Sequence, residues 1–172
     1  MPATAIEATL KQLNAWFIEP SEGNDRAKLL SKLSVLELCG WLEGEFDRLA
    51  LMIDSKLLND QNWVKEYVID KTNGFAYVEH WRPMLVRLVG EVIARRVERG
   101  METTHPGDLD QLKSLLSSLW KLRCAYAHAD MVANVASQQS FQAPSWAQNQ
   151  HRLLNKLITR YEQVLTAVIS SI

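Results

Sequence analysis

The chain has 172 residues, 47% of them hydrophobic and 23% charged, which suits one globular domain over residues 1–172 and excludes a disordered chain. Nineteen Lys and Arg against twenty Asp and Glu leave a net charge of −1, so no chain-wide basic field draws in nucleic acid, and any such partner must be held locally. Cys39 and Cys124 stand far apart with no Cys-x-x-Cys or Cys-His spacing, which excludes zinc knuckles and disulfide scaffolds; both thiols are expected to be reduced and buried.

Seven Gly and five Pro are few for this length, and the apolar positions recur at three and four rather than at two. The expected fold is therefore all-α, an up-and-down bundle of about five to six helices. Ile6, Leu10, Leu13 and Phe17 share one face of a first helix that stops at Glu19-Pro20, because the residue before a proline is pushed out of the helical region. Leu29, Leu33, Leu36, Cys39, Leu42, Phe46, Leu49 and Ile53 form the stripe of the longest helix, about Asp25 to Leu58. Between Asn59 and Tyr77 a short helix around Trp63 and Tyr67 is favoured over a hairpin turning at Lys71-Thr72-Asn73-Gly74. Pro83 suits the first turn of a helix from Met84 to about Arg99, with Gly100 as its left-handed cap.

After His105-Pro106-Gly107, Asp108 is expected to cap a helix carrying Leu112, Leu115, Leu116, Leu119 and Leu122 and ending near His128. Met131 to Ser145, rich in Gln, Ser and Ala, reads as a loop long enough for a functional role. The last helix runs from about Ser145 to Ile172. No apolar run approaches the roughly 20 residues that span a bilayer, so neither a signal peptide nor a membrane anchor is expected, and the chain is placed in the cytoplasm. Six tryptophans are expected to serve as core and interface anchors.

One constellation carries chemistry. In Leu119-Trp120-Lys121-Leu122-Arg123-Cys124-Ala125-Tyr126-Ala127-His128, a guanidinium and an imidazole close a leucine-rich helix, in the third of the chain with an excess of positive charge. The segment resembles the signature of the HEPN superfamily (higher eukaryotes and prokaryotes nucleotide-binding), in which a helix of leucines ends in Leu-Arg-Asn-x-x-Ala-His. Leu38-Cys39-Gly40-Trp41-Leu42-Glu43-Gly44 is similar to the small-residue and Leu-Glu-Gly pattern on an early helix of stand-alone prokaryotic HEPN domains. Cys124 stands where the family usually has Asn or another polar residue. The branch continuing His-x-Tyr is not matched, because position 130 is Asp130.

The resemblance implies a homodimer acting on RNA as a metal-independent endoribonuclease, a toxin or defence effector with an antitoxin or other protein partner. Such cleavage needs proton transfer from a ribose 2′-hydroxyl and to the leaving oxygen, and a cation on the pentacoordinate phosphoryl group. His128 can exchange protons near neutrality, and Arg123 fits two phosphate oxygens. No metal or cofactor is called for. At about 100° per residue, Arg123 and His128 stand roughly 140° apart on a helix. Convergence on one phosphate therefore needs either a helix that ends after Tyr126 or a two-fold dimer in which the helix end meets its copy.

Glu43 is the candidate to orient Arg123 or His128. Tyr126 and Cys124 are the other candidate supports, Tyr126 by stacking on a base or donating a hydrogen bond. Lys121, Arg152, Lys156 and Arg160 are candidate phosphate holders. The rival reading is a non-catalytic HEPN-fold module that binds RNA, a nucleotide or a protein. Glu102-Thr103-Thr104-His105 lacks the further carboxylates of a di-iron bundle, and the arginines between Arg82 and Arg99 are interleaved with Glu91 and Glu98.

Overall fold

The computed structural model describes residues 3–20, 24–128 and 141–172, and the regular elements among them are all helical. Helix α1 (Ala3–Ile18) ends just before Pro20, as the proline requires. Helix α2 (Asn24–Leu57), about 51 Å long at 1.5 Å per residue, is the spine of an all-α bundle. It ends where Asn59 takes a φ of 54°, and the buried Asp54 carboxylate accepts the Asp60 N–H at 2.8 Å. Asp60 in turn accepts the Trp63 N–H at 3.1 Å, capping the short α3 (Gln61–Val64). Helix α3 runs into a π-helical turn, Lys65–Ile69, and an irregular stretch follows before a second π-helical turn, Tyr77–Trp81. Between Asn59 and Tyr77 the chain is thus helical in its first half and irregular in its second, and forms no hairpin.

Helix α4 (Arg82–Thr104) departs from its sequence pattern in two ways. Gly100 does not cap it. The helix runs on to Thr104 because Gly100 lets it lie against α6, where a Cβ would sit 2.7 Å from Val164 Cγ1. The break comes instead at Gly90, whose φ of 80° and ψ of 161° interrupt the helix. In a straight helix Arg82 and Glu98, sixteen residues apart, would be separated by about 24 Å; here Arg82 Nε donates to Glu98 Oε1 at 2.9 Å. The two arms therefore fold back on each other. Arg82 Nη2 also binds Glu91 at 2.8 Å, and Tyr77 donates its hydroxyl to Glu98 at 3.1 Å.

A φ/ψ pair of this kind is open essentially to glycine alone, and a Cβ at Gly90 would meet nothing within 4 Å. Gly90→Ala should therefore cost backbone strain without a clash, about 1–3 kcal/mol in urea unfolding. A variant as stable as the parent would mean that the kink is not fixed in the folded chain.

Helices α5 (Asp108–His128) and α6 (Pro144–Ile169) complete the bundle. α6 packs on α1, α2 and α4, burying Leu154, Leu157, Ile158, Tyr161, Leu165 and Ile169. Trp41 and Trp81 are core anchors, whereas Trp16 and Trp63 are exposed, so only part of the tryptophan complement fills the interior. Cys39 is buried, but Cys124 is half-buried, since its position on α5 lies at the edge of the packed face. No described helix is long and apolar enough to cross a membrane. The expected loop from Met131 to Ser145 falls largely on residues 129–140, outside the described residues.

His151 is buried on α6, edge-on to Trp41 with ring centroids 4.6 Å apart. Burial chiefly holds its pKa below 6.5, aided by the Arg152 charge and opposed by Glu7 and Glu45. The unfolded chain then binds this proton more readily than the folded one. Its contribution to stability is complete above pH 6.5 and declines as the pH falls below that value, by at most about 1.4 kcal/mol per pH unit. Chemical denaturation of parent and His151→Phe from pH 7.5 to 5.5 should show the steeper loss in the parent. Parallel curves would refute a neutral buried imidazole.

Candidate functional site

Arg123 lies on the face of α5 that packs against α2, and its surroundings are built by three segments. From α2, Glu43 comes within 3.6 Å of Arg123 Nη2, close enough for attraction between charges but longer than a good hydrogen bond. From α5, the Trp120 ring lies under the guanidinium, 5.1 Å from Cζ to centroid. The irregular 70–76 segment supplies the third side. Glu43, Asp47, Ile69, Thr72, Asn73, Gly74, Trp120 and Arg123 together line a cavity of about 190 Å³.

The wall is rigid for identifiable reasons. Gly74 has a φ of 135°, and a Cβ there would stand 2.8 Å from His80 Nε2 and 2.9 Å from Trp120 Cη2, so glycine is required twice over. Trp120 is held edge-on by Phe75 at 5.5 Å and by His80 at 4.7 Å. His80 Nδ1 accepts the Ala76 N–H at 3.1 Å, which holds the ring against the loop. Thr72 donates its hydroxyl to the Val68 carbonyl at 2.8 Å and pins the loop to the π-helical turn below it.

Electrostatically the cavity is mixed. Burial raises the Asp47 pKa, and the neighbouring charges of Glu43 and Asp70 raise it further. Among the described residues Asp47 accepts no hydrogen bond and makes no ion pair. Burial, then Glu43, push the Cys39 thiol up to about 12, so this buried sulfur is no nucleophile at neutral pH. Among the described residues no three His, Cys, Asp or Glu side chains gather as a metal site.

The candidate residues separate into groups. Arg123 and Glu43 meet, and Cys124 follows them on the half-buried edge of α5. Tyr126 is not a base-stacking residue: it is fully buried, tilted against Phe141 at 4.9 Å, and its hydroxyl accepts the Gln142 N–H at 2.9 Å. Arg160 is not a free phosphate holder either, because it is committed to an ion pair with Asp108 that joins α6 to the start of α5. That pairing uses the carboxylate expected to cap α5. Lys121 and Lys156 are exposed, and Arg152 lies in the field of Glu7 on α1; none of the three lines the cavity. Of the arginines on α4, Arg82 is tied across the kink to Glu91 and Glu98, and Arg95 is paired with Glu91.

Helix α5 is unbroken through His128, whose side chain lies outside the described residues. Positions 123 and 128 therefore keep the helical separation of about 140°, and the helix does not end after Tyr126. Sequence reading missed Asp47, Asn73 and Gly74. Asp47 could have been found, since it follows Glu43 by one helical turn on α2. The loop residues could not, because their approach to Trp120 depends on the irregular backbone between the two π-helical turns.

No family model, curated protein or solved structure matches this chain.

Proposed function

We propose that the chain is a HEPN-like, metal-independent endoribonuclease that works as a homodimer, a toxin or defence effector whose Arg123 and His128 act on one phosphodiester. The observation that carries this reading is the state of Arg123. Its side chain is 36% exposed at a cavity rim, backed by an aromatic face and held by a carboxylate too distant to saturate its five N–H donors. Such a guanidinium is oriented yet still free to take two phosphate oxygens. In the proposed reaction the ribose 2′-hydroxyl attacks the adjacent phosphorus, and the 5′-oxygen leaves. The His128 imidazole takes the proton from the first oxygen and returns one to the second, and Arg123 offsets the charge of the phosphorane. A 2′,3′-cyclic phosphate and a 5′-hydroxyl remain.

The unbroken α5 supports the dimeric form of this reading. With the two positions about 140° apart on one helix, a two-fold axis near the helix end brings Arg123 of one protomer to His128 of its partner. The test is incubation of purified protein with RNA in excess EDTA, with the new ends identified by mass spectrometry. Cyclic phosphate ends are expected; intact RNA would overturn the reading. The carboxylates of Glu43 and Asp47 beside Arg123 favour a second reading, a non-catalytic binding module, which intact but bound RNA would support.

A further inference from the structure

The cavity beside Arg123 has a shape and a donor and acceptor pattern of its own. At about 190 Å³ it is below the range of pockets that enclose drug-sized ligands, so it suits one ring system rather than a whole nucleotide. Its free groups are few. Glu43 and Arg123 face each other, and Thr72 is committed to the Val68 carbonyl. Asp47 contributes two acceptor oxygens with no partner among the described residues. On the loop opposite, the backbone N–H groups of Asn73 and Gly74 also have no partner among the described residues, and each is a donor.

A carboxylate satisfies both oxygens most directly against two adjacent donors. Of the four RNA bases, guanine alone presents such a pair, N1–H and the 2-amino group, with the O6 acceptor next to them for a backbone N–H. Adenine and cytosine each set an acceptor nitrogen beside a single amino group, and uracil sets one N–H between two carbonyls, so each would turn a lone pair toward the carboxylate. Single-stranded bases are recognised in this way, by their edges and by contact with aromatic side chains, and Trp120 lines this cavity.

We infer that this cavity is a guanine subsite, in which Asp47 accepts from N1–H and the 2-amino group, the Asn73 and Gly74 amides donate to O6, and Arg123 holds the attached phosphate. The inference rests on the ribonuclease reading and names the base next to the phosphate that is cut. The crowding of negative charge around Asp47 from Glu43 and Asp70 favours a ligand that brings donors, in keeping with this assignment.

Calorimetric titration of the full-length protein with guanosine, inosine, adenosine, cytidine and uridine 3′-monophosphates tests it. Inosine differs from guanosine only by the missing 2-amino group, so this comparison needs no variant. The guanine nucleotide should bind at least about tenfold more tightly than inosine and the others, as expected for a hydrogen bond to a charged acceptor. Asp47→Asn should bring it to the inosine level. Equal binding of guanosine and inosine nucleotides, or a guanine preference that survives in a folded Asp47→Asn, would overturn the subsite. RNA cleaved alike at all four bases, with nucleotides bound alike, would refute the subsite and leave the nuclease. Guanine preference in a protein that leaves RNA intact would keep the subsite and refute the nuclease.

Discussion

Arg123→Ala and His128→Ala should each lower RNA cleavage by about 10²–10⁴-fold while leaving the circular dichroism of the protein unchanged. For Arg123 the size follows from its proposed task, because a fixed cation aimed at developing charge is worth far more in the transition state than in the folded ground state. Its structural contribution is small. The pair with Glu43 spans 3.6 Å between two side chains each 36% exposed, and ion pairs of that kind are worth about 1 kcal/mol or less. Arg123→Lys should fall between parent and alanine variant, since the charge survives but the two-point fit of the guanidinium to phosphate does not. An Arg123→Ala protein that cleaves at the parental rate would reduce the residue to a helix-to-helix tether.

The largest effect on stability should come from Trp81→Ala, a loss of about 3–5 kcal/mol in urea unfolding. Trp81 is completely buried where the second π-helical turn enters α4. Its ring stacks on Phe46 of α2 at 4.8 Å and meets Tyr161 of α6 edge-on at 6.2 Å, so one truncation opens a cavity shared by three helices. Typical domains are stable by only about 5–15 kcal/mol, and the variant should be marginal at 37 °C. A loss under about 1 kcal/mol would show that these elements do not close around the indole as described. Trp63→Ala is the control, since that ring is exposed and stacks only on Tyr67 at 6.2 Å.

Most of the architecture could be read from apolar spacing. Helices α1, α5 and α6, and α2 from Val35 onward, follow stripes at three and four residues, whereas Leu29 and Leu33 at the start of the α2 stripe are exposed; Pro20 marks an end that simple backbone sterics explain. The errors gather at glycines. Gly100 looked like a cap because glycine tolerates left-handed backbone, but it also admits close helix contact, and the approach of Val164 used that property instead. Gly90, which had no sequence signal beyond its identity, took the left-handed conformation, and the ion pairs that hold it come from Arg82 and Glu98, sixteen positions apart.

The site was legible in the same uneven way. Arg123 and Glu43 could be named because a motif placed them, and they meet across α5 and α2. Arg160 and Tyr126 were named by charge and proximity in sequence, and tertiary contacts gave them structural work with Asp108 and Gln142. The cavity wall at Asn73 and Gly74 lies on irregular backbone that no periodic pattern encodes.

The most direct measurement is complementation between the two alanine variants. Arg123→Ala retains His128, and His128→Ala retains Arg123. A heterodimer of the two therefore holds one site with both groups if each site draws Arg123 from one protomer and His128 from its partner. After unfolding and refolding together in equal amounts, the mixture should recover about a quarter of parental cleavage, because half the dimers are mixed and each has one complete site of two. If mass spectrometry shows the heterodimer formed and RNA stays intact beside an active parent, the shared two-protomer site is contradicted.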